Sequence, residues 1–310
     1  MKFKYTHIKN LYLILAFFCI GLVSHAQQEP QYTQYQYNTM TVNPGYAGSQ
    51  GFASIIALYR DQWVNIQGSP RTISLGVDTP FKLFSGLGLS IVKDELGPAD
   101  ETYFDANYSH SIVLNRYGHR LAFGLKAGGK YLSVDWSKGT FKDPDVAFQE
   151  NIKGRFLPSV GAGVYYYTDN AYLGLATPNI LKNEHYDAIQ EAVASDRMHL
   201  YLIAGYVFDL NNSLKFKPST FIKYVDGAPL IFDISGNFLI NEKLHLGVSY
   251  RWDDSISAIL GFYISPRLHI GYSFDYSTTN LTNYNDGSHE LFIKFNLIPK
   301  LTKIKSPRFF

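Results

Sequence analysis

The stretch KLHLGVSYRW, Lys243 to Trp252, switches residue type at every position. Leu244, Leu246, Val248, Tyr250 and Trp252 fall on one face of an extended chain, and His245, Gly247, Ser249 and Arg251 on the other. The pattern recurs in RLHIGYSFDYS, where Leu268, Ile270, Tyr272, Phe274 and Tyr276 oppose His269, Gly271, Ser273 and Asp275. In HELFIKFNL, Leu291, Ile293, Phe295 and Leu297 oppose Glu290, Lys294 and Asn296. Earlier, Ile73, Leu75 and Val77 oppose Thr72, Ser74, Gly76 and Asp78, and Leu87, Leu89 and Ile91 oppose Gly86, Gly88, Ser90 and Asp94. A helix repeats every 3.6 residues, so a period of two predicts strands.

From Phe52 to Leu297 about 14 strands are expected, starting near Phe52, Arg71, Ser85, Thr102, His119, Arg155, Ala171, Arg197, Leu214, Leu230, Lys243, Ser255, Arg267 and Ser288. Every second connection is tight: Asn115 to Gly118, Thr168 to Asn170, Asn211 to Ser213, Asn241-Glu242 and Ser265-Pro266. The intervening set holds the longest loops, Ser137 to Gly154, Pro178 to Asp196 and Thr278 to Gly287, beside the short Asp226 to Pro229 and Asp253-Asp254. A soluble β-sandwich gives no reason for two classes of connection in turn, whereas an outer-membrane barrel has short periplasmic turns and longer outside loops. The expected fold is therefore an all-β, transmembrane outer-membrane β-barrel at 52–298, with both chain termini in the periplasm. Its apolar faces would meet lipid, its polar faces the lumen, and Tyr250 and Trp252 the outer aromatic girdle.

Composition agrees with that inversion. Charged residues are 17% and aromatics 16%, with 24 Tyr and 22 Phe, so there is too little charge for an ordinary soluble surface. The chain opens with Lys2, Lys4 and Lys9, an apolar run from Leu11 to Val23, and Ser24-His25-Ala26, the pattern of a signal peptide at 1–26. Past Val23 no apolar run is long enough for a spanning helix, so a membrane protein here must use strands. The single cysteine, Cys19, lies in the signal, which leaves no disulfide framework and no cysteine metal site. Three of the 28 basic residues also belong to the signal, leaving 25 against 26 acidic ones and no clustered basic face for nucleic acid.

The segment 27–51 and the first strands carry recognisable motifs: Gln34-Tyr35 and Asn38, the NPxYAG element at Asn43 to Gly48, YRxQW at Tyr59 to Trp63, Gly68-Ser69-Pro70, and Asp94 with Gly97. Together with Ser306-Pro307-Arg308 and the closing aromatics, they resemble the type IX secretion system membrane proteins of the PorP/SprF family, with Gly45 where that family commonly carries alanine. The resemblance implies an outer-membrane barrel that retains an exported partner at the cell surface, often a large adhesin, including ones used in gliding motility, through the partner's C-terminal secretion domain. Partner contact is then expected of Tyr35, Asn43, Pro44, Tyr46, Gly48, Arg60, Gln62 and Trp63, and outer-membrane lipid and lipopolysaccharide are expected to surround the wall.

On physical grounds, the Tyr- and Gln-rich 27–51 is a leader, a periplasmic arm or a lumenal plug; the density of Tyr favours order. Asp78, Asp94, His245, Arg251, His269 and Asp275 are expected in the lumen, with Asp78 or Asp94 as the carboxylate partner of Arg60. Residues 299–310 form a periplasmic tail. One rival is a passive porin, whose Lys126, Lys130, Lys215, Lys217, Lys223 and Lys294 would favour anions. The other is a lipid hydrolase using His110, Ser111, His245, His269, Ser249 or Ser273, but no GxSxG or HExxH element is present. No catalytic residue, cofactor or metal ligand is assigned; Asp143-Pro144-Asp145 and Asn283 to Gly287 lack a full calcium-loop spacing.

Overall fold

A computed structural model describes residues 30–139, 151–181 and 198–298. The expected signal peptide at 1–26, Asp143-Pro144-Asp145 and the expected tail at 299–310 lie outside the described residues. The strands are β1 (Ala53–Asp61), β2 (Arg71–Lys82), β3 (Ser85–Leu96), β4 (Ala99–Val113), β5 (Arg120–Val134), β6 (Ile152–Tyr167), β7 (Ala171–Thr177), β8 (His199–Tyr206), β9 (Phe208–Asn211), β10 (Leu214–Val225), β11 (Ile231–Ile240), β12 (Leu244–Arg251), β13 (Ser255–Ser265), β14 (Leu268–Ser277) and β15 (Ser288–Leu297). Each pairs antiparallel with its neighbours, and β1 pairs with both β2 and β15, which closes the sheet. Both β8 and β9 pair with β10, with only Val207 between them, so the closed barrel has 14 staves.

The faces are inverted relative to a soluble sheet. Leu246, Val248, Tyr250 and Trp252 are exposed on the outside, while His245, Ser249 and Arg251 are at most 4% exposed within. Strand starts agree with the alternation to within three residues; the largest differences are β4 and β6, which begin earlier, at Ala99 and Ile152. Asp100 and Glu101 break the alternation in β4, and a register shift between Leu132 and Val134 breaks it opposite β6. There Leu132, Val134 and Leu157 form a small apolar cluster with Ala99, Trp136 and Ile152, which carries these strands on past the shift.

The principal core is inside the barrel. Tyr32, Tyr35, Tyr37, Met40, Val42 and Tyr46, all from before β1, pack on Ile56, Leu58, Tyr165, Ile203, Phe221 and Phe292 of the wall. Residues 30–51 therefore lie in the lumen, forming one helical turn α1 (Thr39–Val42) and a 3-10 turn at Pro44–Tyr46. Porin lumens are filled with water; this one is occupied by the protein's own chain.

Candidate functional site: the lumenal segment and its seat

By strand register, the ends of β1, β3 and β10 and the starts of β4, β8 and β15 share the long-loop mouth. The segment begins in that half of the barrel. Pro30, Gln31 and Tyr32 line a cavity with Val92, Tyr103, Tyr201 and Lys223. The chain then descends toward the tight-turn mouth, where Phe52 leads into β1.

Charge fixes the upper part. The backbone N–H groups of Thr33 and Gln34 donate to the two Glu290 carboxylate oxygens at 2.9 and 2.7 Å, and Thr33 Oγ1 donates to Asp275 Oδ2 at 2.7 Å. Arg60 Nη1 donates to Glu290 Oε2 and to Thr33 Oγ1, both at 3.0 Å, and Arg60 Nη2 stands 2.8 Å from Asp275 Oδ2. No side chain in this triad is more than 3% exposed. A guanidinium so far from water demands carboxylates on both edges, and it has them. Arg60 thus does not pair with Asp78 or Asp94, as the sequence reading expected. Its register partner on β15 is Glu290, and on β2 it is Thr72. Alternation within one strand cannot reveal which strand closes the barrel. Nearby, Arg251 pairs with Asp233 at 3.3 Å and Asp254 at 3.0 Å.

Aromatic contacts hold the middle. Tyr37 stacks on Phe292, ring centroids 4.4 Å apart, and meets the edge of His269 at 4.9 Å. Its hydroxyl hydrogen-bonds His245 Nδ1 at 2.9 Å, and His245 Nε2 lies 3.1 Å from Asn237 Oδ1. The amide oxygen can only accept, so Nε2 carries the proton and Tyr37 donates to Nδ1. Both histidines thus belong to the packing around Tyr37. Ser249 Oγ donates to Asp233, so the hydrolase pairing with His245 is not formed. The described residues do contain a Ser85 Oγ to His110 Nδ1 contact of 3.0 Å, but it lies on the outer face and no carboxylate orients the ring.

Shape fixes the lower part. Asn43 Oδ1 accepts from Gly45 N at 2.9 Å, while its Nδ2 donates to the Val164 carbonyl on β6 at 3.1 Å, so one side chain both caps the 3-10 turn and ties it to the wall. A Cβ at Gly124 would stand 2.1 Å from Gly45 N, and one at Gly86 2.1 Å from the Ala47 carbonyl oxygen. Backbone thus lies directly on backbone, which only glycine permits. Gly48 has φ +69° and donates to Asp78 Oδ2 at 3.0 Å; Asp78 also accepts from Ser54. Ser109 Oγ donates to the Ala47 carbonyl at 2.6 Å.

The structure therefore gathers Tyr35, Asn43, Pro44, Tyr46, Gly48 and Arg60 inside the wall, all almost fully buried except the half-buried Gly48. Gln62 and Trp63 are separate, half-buried at the long-loop rim, where Gln62 N donates to the Pro70 carbonyl and Trp63 N to Ser288 Oγ. Asp78, His245, Arg251, His269 and Asp275 all face inward. Asp94, half-buried, accepts from Thr72 Oγ1 at 2.5 Å, and Gly97 N donates to the Gly68 carbonyl at 2.9 Å, so two motif positions clasp neighbouring rim loops. Glu290, Thr33, Tyr37 and Asp233 were not singled out from sequence. The available signal was Phe292, an aromatic on an otherwise polar lumen face.

The family model for type IX secretion system membrane protein PorP/SprF matches residues 24–295. The chain belongs to that family. No curated protein matches it. Among solved structures, the PorP/SprF chain is similar to the Acinetobacter baumannii outer membrane protein Omp33, at 8% identity and TM-score 0.48, covering 79% of this chain and 97% of that one. It is also similar to the NanC porin, at 8% identity and TM-score 0.43, covering 80% and 100%. A third similarity is to KdgM porin in complex with disordered oligogalacturonate, at 8% identity and TM-score 0.36, covering 78% and 98%. The protein is an outer-membrane barrel of the type IX secretion system.

Proposed function

We propose that this barrel anchors a type IX exported surface protein, a large adhesin of the kind that serves gliding motility, by holding its C-terminal secretion domain at the long-loop rim. The observation that carries this reading is the filled lumen. A wall sealed by its own residues 30–51 has little left to conduct, but it offers a rigid platform, with the YRxQW motif ending at the long-loop rim and the NPxYAG motif fixing the segment from below. Gln62 and Trp63 are the direct contacts in this reading, because of the residues expected to touch the partner these two reach that rim. Tyr35, Asn43, Pro44, Tyr46, Gly48 and Arg60 contribute by fixing the segment beneath it. Lipid and lipopolysaccharide cover the apolar outer face, and the tight-turn end, with the C-terminal tail, faces the periplasm.

The test follows the exported protein. Alanine at Trp63 or Gln62, in barrels that still migrate as heat-resistant folded species, is expected to release the partner from the cell surface into the medium. Undiminished surface display in a strain lacking the barrel altogether would overturn the anchoring role.

A further inference from the structure

A cavity of about 380 Å³ lies at the tight-turn mouth, beneath the end of the lumenal segment. One wall is Gly45 and Ala47 to Gly51 of the segment; the others come from the successive tight turns at Leu83-Phe84, Gly118 and Thr168-Asp169. It opens outward, since a Cβ added at Gly51 or Gly118 would meet nothing within 4 Å. Two cations line it, Lys82 and Arg120. Among the described residues neither forms an ion pair. Lys82 Nζ lies 5.5 Å from the centroid of the Phe81 ring, and the Arg120 guanidinium 5.7 Å from that of Phe84. The buried arginines of this barrel, by contrast, are each paired with two carboxylates.

From this pocket we infer a second docking site, for an acidic peptide segment of a partner that approaches the tight-turn mouth. Unpaired cations at the mouth of a low-dielectric wall concentrate field on whatever enters, and carboxylates are the complementary chemistry. The volume argues for a peptide over a small anion, because it would hold about a dozen waters at their liquid volume, far more than one phosphate occupies. Position argues against a lipid headgroup. Ser109, Ser111, Arg120 and Ala122 of the lining are inward-facing strand positions, so the cavity is continuous with the lumen, and the exposed Lys82, Leu83 and Phe84 form its outer lip. The chain's own tail is no candidate either, since Lys300, Lys303, Lys305 and Arg308 share the sign of the site. Asp169 is the one carboxylate of the lining, and it would orient a mixed sequence rather than exclude an acidic one.

The experiment uses the purified full-length barrel in neutral detergent and a fluorescein-labelled Glu-Gly-Glu-Gly-Glu-Gly peptide, with the Lys and Ser counterparts as controls, read by anisotropy. The Glu peptide is expected to bind and the controls not to. Its affinity should fall at least tenfold in the Lys82→Gln/Arg120→Gln double variant, be unchanged in Lys93→Gln at the opposite mouth, and weaken as salt is raised. Heat-resistant migration confirms that each variant is folded. Equal binding of the three peptides, or equal affinity in the double variant, overturns the proposal. So does displacement of the peptide by orthophosphate, or by phosphatidylglycerol in mixed micelles, at the peptide's own concentration, which would make this a small-anion or lipid site.

Discussion

The two halves of the lumenal seat hold the same short segment by opposite means. Around Arg60 the wall supplies charge: Glu290 and Asp275 grip the guanidinium, Thr33 and the Gln34 backbone in one buried network. Around Gly124 and Gly86 the wall supplies absence of bulk, and the segment's backbone lies against bare backbone. Charge in a dry interior stabilises only while every partner is present, and removal of one leaves the others desolvated. A steric seat fails gradually, according to whether the intruding atom meets flexible side chain or fixed backbone. The upper half should therefore be brittle and the lower half graded.

The largest effect is expected at the brittle end. Glu290→Ala removes a carboxylate from Arg60 and two acceptors from the segment, and should destabilise the folded barrel by about 3 to 5 kcal/mol in denaturant titrations in detergent. A smaller loss would mean that water already reaches the network. Next is Gly124→Ala, whose methyl would meet the Gly45 backbone; a cost of about 1 to 3 kcal/mol is expected. Tyr37→Phe keeps the stack on Phe292 but leaves His245 Nδ1 without its donor, and should cost about 0.5 to 1.5 kcal/mol, read in the same titrations. Gly88→Ala should cost least, because its added methyl meets the Met40 thioether, which can turn aside. If Gly88→Ala proved as costly as Gly124→Ala, backbone contact would not be what sets the lower half apart. Which half faces outward is settled without any stability change. Cysteine at Asp286 should react with impermeant maleimide on intact cells, and cysteine at Asn212 only after the outer membrane is opened.

The two halves also differ in how far they were legible. Strand number, faces and the inward direction of His245, Arg251 and Asp275 follow from alternation, a local property readable one strand at a time. The steric seat was half legible: lumenal glycines are visible in sequence, but nothing local says that Gly124, Gly86 and Gly163 face Asn43 to Ala47 and not water. The charged half was the least legible. Arg60 and Glu290 are 230 residues apart and meet only because the first and last strands close the barrel. The lumen face offered Phe292, Phe221 and Tyr165 as a sign that something apolar fills the barrel, and Tyr32, Tyr35, Tyr37 and Tyr46 as what fills it.

The central claim is that residues 30–51 close the barrel, and electrical conductance tests it most directly. Purified wild-type protein in planar bilayers should be silent, and the Glu290→Ala variant should open in steps as the segment loses its hold. A large, steady conductance from the folded wild-type barrel would contradict the account and place an open pore where the segment is described.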